Sequence, residues 1–185
     1  RVAGLKQFPL LTDGGKIICL TDSSGTFIHG VEYSSGWYSD ELKSDGGWSL
    51  EMIDMGFPFF GEENWTASVS RKGGTPGTVN SVIKSNQDNT FSGVRNVFPE
   101  DSVTIAVSFS ETVLNPLVIN KNIKLGGKGI TDLYPVDPLF RKFAIKTANP
   151  MIRGVIYQLE VSGNITDFAG NRMPEGNVPR MHATS

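Results

Sequence analysis

The sequence predicts an all-β chain of antiparallel sandwiches, and three observations carry that prediction. Twenty-one glycines and ten prolines are spaced along the 185 residues rather than clustered, which marks many turns. Val103, Ile105, Val107 and Phe109 alternate with Thr104, Ala106 and Ser108, and Val155, Tyr157, Leu159 and Val161 alternate with Ile156, Gln158 and Glu160. A period of two puts every second side chain on one face of a strand. The other apolar runs are short and bounded by Gly, Pro, Asn or Asp, as strands joined by tight turns are.

Composition narrows the setting. Hydrophobic residues make up 38% of the chain and aromatics 10%, enough for packed cores. Residues 1–82 carry 6 Lys/Arg against 10 Asp/Glu, and residues 83–185 carry 11 against 9. With a formal net charge of −2, the chain lacks the basic footprint that nucleic acid or an anionic membrane requires. Cys19 is the only cysteine, so neither an intrachain disulfide nor a thiolate metal cluster can form. No apolar run approaches the roughly 20 residues of a membrane helix, and the N-terminus lacks a signal-peptide pattern. Arg1 stands where a start methionine would, so the chain reads as an excised piece of a larger protein whose destination is open.

Residues 1–15 read as irregular and end on the turn signal Asp13-Gly14-Gly15. Ile17-Ile18-Cys19-Leu20 and Phe27 to Tyr33 form a hairpin around the turn-rich Thr21–Thr26, and this hairpin is expected to organise the first half. Ile18 and Leu20 share one face, Ile17 and Cys19 the other. Ile28 has the opposite parity from Val31 and Tyr33, and a bulge at Gly30 restores the phase. Trp48, Leu50 and Met52 alternate with Ser49 and Glu51 as a third strand. Asn64 to Val69 makes a fourth, with Trp65 and Ala67 inward.

The succession Leu20-Thr21-Asp22-Ser23-Ser24-Gly25-Thr26, Val31-Glu32-Tyr33-Ser34, Asp45-Gly46-Gly47-Trp48-Ser49-Leu50-Glu51, Asn64-Trp65-Thr66 and Gly73-Gly74-Thr75-Pro76-Gly77 resembles the C-terminal part of the bacterial lamin-tail domain over about residues 8–80. The resemblance implies an immunoglobulin-like β-sandwich without catalytic residues, found in secreted or surface proteins. That family's first strands have no counterpart here. About four strands are legible where a sandwich has about seven, so either the missing strands belong to a segment before Arg1, or another chain or the second domain is expected to cover the exposed edge.

Residues 83–91 read as a polar linker. Beyond it, the two alternating runs enclose short candidates at Leu117–Ile119, Ile123–Leu125 and Phe143–Ile145, the spacing of a second sandwich. Val107-Ser108-Phe109-Ser110-Glu111-Thr112-Val113, Tyr157-Gln158-Leu159-Glu160-Val161 and Ile165-Thr166-Asp167-Phe168-Ala169-Gly170-Asn171 resemble the SbsA-type bacterial Ig-like domain over about residues 92–178. That resemblance implies a surface-layer or adhesin-like setting. Asp167, Gly170 and Asn171 make sense as turn chemistry: Asp167 bonds downstream N–H groups, Gly170 takes positive φ, and Asn171 caps the next segment.

Catalytic patterns are missing. There is no Gly-x-Ser-x-Gly, no His-Glu-x-x-His and no phosphate loop, and Gly126-Gly127-Lys128-Gly129 reads as a hairpin turn. His29 is expected to point outward, and the second histidine, His182, falls in a tail over 179–185. No cofactor is expected beyond weak Ca²⁺ binding at Asp132 and Asp137 or at Asp40, Glu41 and Asp45, although solvated loop carboxylates explain both groups. Trp37, Tyr38, Phe57, Phe59 and Phe60 are candidate ligand-binding aromatics that could stack on sugar rings, whereas Trp48 and Trp65 are expected in the core. Asp101-Ser102-Val103 makes Ser102 a candidate O-glycosylation acceptor, and Asn64 and Asn164 begin sequons.

The reading is two immunoglobulin-like β-sandwich domains in tandem, residues 1–82 and 92–178, the first lacking its N-terminal strands. They are expected to be non-catalytic spacer, adhesion or docking modules of a larger exported bacterial protein, at the cell surface or secreted. Expected partners are other domains of the parent, or a surface protein or glycan, with no nucleic acid and no membrane insertion. The alternative is an accessory carbohydrate-binding module of a secreted hydrolase.

Overall fold

The computed structural model describes residues 10–114, 123–126, 128–161, 164–174 and 180–182; the strand expected at Leu117–Ile119 lies outside them. The fold is all-β, and the chain divides into two compact units. One comprises Arg1–Ile53 with Gly61–Ser85, the other Asp54–Phe60 with Asn86–Ser185. Among the described residues, no helix is long and apolar enough to cross a membrane.

The second unit is a sandwich. Strands β5 (Val94–Pro99), β6 (Thr104–Phe109), β8 (Ile130–Pro135) and β9 (Lys142–Thr147) form a four-stranded antiparallel sheet in the order β5-β6-β9-β8. Strands β7 (Ile123–Leu125), β10 (Ile156–Val161) and β11 (Arg180–His182) form a three-stranded sheet with β10 central. One hydrophobic cluster draws on both sheets: Ile105, Val107 and Phe109 of β6 and Phe143 and Ile145 of β9 meet Leu125, Leu159 and Met181 of the other sheet. Phe143 is fully buried and packs edge-on against Phe109, ring centroids 5.7 Å apart. Alternation in β6 and β10 thus follows from burying one face of each sheet.

Several expectations change. Val155, read as the first inward residue of β10, is 39% exposed, because its N–H closes a turn onto the carbonyl of Ile152 and the strand begins one residue later. Arg180–His182, read as tail, pairs with Gln158, Tyr157 and Ile156, and Met181 is buried. The expected linker 83–91 is anchored: Phe91 lies in the core of the second unit, and the Asn86 N–H donates to Asp54.

Among the described residues, the first unit holds two two-stranded sheets, β1 (Lys16–Thr21) with β2 (Phe27–Tyr33) and β3 (Leu50–Met52) with β4 (Trp65–Ala67). The hairpin forms as expected, but its bulge does not sit at Gly30. Gly30 pairs with Cys19, while the register slips at Ile28, which stands unpaired between Phe27 and His29 and is 55% exposed. No residue of β1 is buried, so this hairpin is not the centre of a core. Burial in β3 is also inverted: Glu51 is buried, whereas Leu50 and Met52 are half-buried. Gly15 seats the hairpin's start, since at φ 108° a Cβ would stand 2.4 Å from the carbonyl oxygen of Tyr33.

Candidate functional site

The first unit contains an open cleft of about 470 Å³, within the range of small-ligand sites. Four aromatic side chains line it: Tyr33 at the end of β2, Tyr38, Trp48, and Trp65 of β4. Leu11, Ile18, Val31 and Leu50 complete its apolar wall, and Thr12, Asp13, Ser35, Ser44 and Ser49 contribute polar groups. The rings are held by their neighbours. Tyr33 Oη donates to the Thr12 carbonyl at 2.8 Å, and Tyr38 Oη to the Trp48 carbonyl at 2.9 Å. Trp37, which is 9% exposed, backs Trp65 at 6.3 Å. The Lys43 ammonium lies 4.9 Å from the Trp48 ring and donates to the Ser68 carbonyl. Asp40 caps the short helix α1 (Glu41–Ser44) that carries Lys43 and Ser44, accepting from the N–H groups of Leu42 and Lys43.

Behind β3, Glu51 gathers the loop that follows β4. Its carboxylate accepts from Thr75 Oγ1 at 2.6 Å and from both the N–H and Oγ of Ser81 at 2.7 Å. Burial pushes the Glu51 pKa up, but hydrogen bonds from Thr75, Ser81 and Ser68 outweigh it and hold the carboxyl below its ordinary 4.5. Gly73 belongs to the same knot: at φ 81° its absent Cβ would stand 2.0 Å from the Gly47 carbonyl oxygen.

In the second unit, Asp88, Glu111 and Asp167 bring carboxylate oxygens within 4.8 Å of one another, with Asp88 and Asp167 buried. Asn171 ties the group together, its Nδ2 donating to Asp167 Oδ2 at 2.8 Å, to Asp88 Oδ1 at 3.0 Å and to the Asp88 carbonyl at 3.1 Å. Its backbone N–H donates to Asp167 Oδ1 at 2.8 Å, and Gly170 takes φ 91°. Chemically, three hard oxygen donors so close can accept a divalent cation. Sequence spacing gives no warning of this cluster, because its members lie 23 and 56 residues apart along the chain.

The five aromatics singled out in sequence do not form one platform. Trp37 is buried and offers no face, and Tyr38 lines the cleft of the first unit. Phe57, Phe59 and Phe60 belong to the second unit, around a recess of about 210 Å³ where Phe59 packs on Phe168 at 4.4 Å. Trp48 and Trp65, expected in the core, instead line the cleft half-buried.

The acidic loops are also engaged locally. Asp137 is buried and accepts from the N–H groups of Arg141 and Lys142, while Asp132 is exposed and accepts from that of Leu133. Asp40, Glu41 and Asp45 belong to the cap and turns of α1. Ser102 is exposed, at the tip of a turn closed by Asp101 onto Val103 and Thr104. Asn64 is fully buried, so its sequon is not accessible, whereas Asn164 is exposed. The Lys128 N–H closes a tight turn onto the Leu125 carbonyl, but β7 and β8 on either side of it belong to different sheets, so the hairpin expected there does not form.

No family model and no curated protein matches the chain. Solved structures of the S-layer protein SbsC align with part of it. One SbsC crystal structure does so at 22% identity and a TM-score of 0.43, over 49% of this chain and 13% of that one. Its domains 1–6 give 18% identity and 0.44, over 49% and 13%. The N-terminal part of this bacterial protein gives 21% and 0.44, over 49% and 23%, so the chain spans less than a quarter of the length of each.

Proposed function

We propose that the chain is a pair of non-catalytic structural and interaction modules, a lamin-tail-like unit followed by an SbsA-type Ig-like unit, within a larger exported bacterial cell-surface protein. The observation that carries this reading is the use made of buried carboxylates. Glu51, Asp137 and Asp167 each accept backbone N–H groups from loops. These hydrogen bonds bind the chain to itself, as a structural module requires. The resemblance of Val107–Val113 and Ile165–Asn171 to surface-layer Ig-like domains supports the setting. Antibody against this chain, applied to intact cells of the source, should label them before lysis; labelling only after lysis would exclude the surface role.

Weak Ca²⁺ binding is better supported at Asp88, Glu111 and Asp167 than at the loop carboxylates. The three carboxyl groups offer oxygens within 4.8 Å of one another, and hard oxygen donors gathered this closely suit a divalent cation. Millimolar Ca²⁺ should raise Tm reversibly to EDTA in the wild type but not in Asp167→Asn. An unchanged wild-type Tm leaves the cluster as an Asn171 clamp alone.

A further inference from the structure

We propose that the aromatic cleft of the first unit binds the neutral pyranose rings of a glycan. Three observations select that ligand class. First, Tyr33, Tyr38, Trp48 and Trp65 surround a single cavity of about 470 Å³, and both tyrosine hydroxyls are already donated to backbone carbonyls. The rings are therefore fixed before any ligand arrives and present carbon surface, which suits the C–H face of a sugar ring.

Second, the polar groups around that surface are biased toward accepting. Thr12 Oγ1 donates to the Gly15 carbonyl, and Ser44 Oγ donates to the Glu41 carbonyl. Each hydroxyl oxygen keeps lone pairs, and the Asp13 carboxylate accepts only. An acceptor-rich rim over an aromatic floor calls for a ligand that is apolar on one face and supplies its own hydroxyl donors at the edge. A wholly apolar ligand would strip water from these groups and give nothing back.

Third, the charges favour a neutral ligand. Aromatic cages also hold quaternary ammonium groups, but here the Trp48 ring already has a cation partner, the Lys43 ammonium 4.9 Å from its centroid, while the Asp13 carboxylate lines the cleft. With a charge of each sign close by, a ligand of either charge meets one like charge and a neutral ligand meets none. What remains is neutral and amphipathic.

Binding of this kind does not depend on where the parent protein resides, so the purified full chain serves for the test. Intrinsic tryptophan fluorescence is titrated with cellohexaose, chitohexaose, laminarihexaose and maltohexaose, and in parallel with choline and oligogalacturonate. Saturable binding of at least one neutral hexasaccharide, little changed in 0.5 M NaCl, is expected. Trp48→Ala should weaken it about three- to tenfold. Because loss of the indole can also disturb folding, a Ser44→Ala/Ser49→Ala double variant at exposed positions provides the second reading and should weaken binding about two- to fivefold. No saturable change with any of the four neutral sugars would overturn the proposal. So would binding of choline or oligogalacturonate alone, or full affinity in the double variant.

Discussion

Glu51 shows how one side chain can reverse the reading of a strand. By alternation it faces solvent between Leu50 and Met52, yet it is 4% exposed, because Thr75 and Ser81 return to supply three donors. A buried carboxylate is tolerable only when its oxygens are satisfied. Glu51→Ala should therefore cost about 1.5–3 kcal/mol, the range for hydrogen bonds to a charged group. Urea unfolding would read this as a lower midpoint with an unchanged slope. Loss of less than about 0.5 kcal/mol would mean that the loop holds without the carboxylate. Nothing in the Glu51 side chain announces the role; only the return of residues 75–81 creates it.

At the level of elements, alternation holds through the middle of β6 and β10, whereas the hairpin forms without the core its sequence suggests. Tyr157, Leu159 and Val161 are buried while Ile156, Gln158 and Glu160 are exposed. Leu159→Ala should accordingly cost about 2–5 kcal/mol, whereas Gln158→Val should change stability by no more than about 0.5 kcal/mol. Comparable effects from the two in thermal or urea unfolding would contradict the face assignment. In β1 and β2 the apolar residues are as numerous, but among the described residues that sheet has two strands, and a two-stranded sheet alone does not exclude water from its apolar face. Ile18, Val31 and Tyr33 are left half-buried around the cleft rather than in a core. The bulge at Ile28 makes the same point: parity demanded one extra residue, but Gly30 was the wrong choice because it pairs with Cys19.

Over the whole molecule, acidic turn residues give both units a common response to pH. Hydrogen bonds from Ser24 and Thr26 hold Asp22 below its ordinary 3.8, those from Asn86 and Gly56 do so for Asp54, and those from Thr104 and Val103 for Asp101. Glu51 is held below 4.5. A carboxyl whose pKa falls on folding releases its proton more readily in the native state. Its stabilisation is complete above the unfolded value and is lost as pH falls through the folded one. Thermal midpoints should be flat from about pH 7 to pH 5 with respect to these groups and decline below about pH 4. A decline that begins above pH 6 would assign the acid sensitivity to other groups.

The linear order of residues was sufficient for the all-β class, the strands β6, β9 and β10, and the Asp167–Asn171 turn. Each depends on interactions within a few positions or on a period of two that burial enforces. It could not place Glu51 inside, put Trp48 and Trp65 on an open cleft, or join Asp88 to Glu111 and Asp167. Those facts depend on which distant segments meet, and pairing between residues tens of positions apart is settled by packing of the folded chain, to which no local pattern of side chains has access.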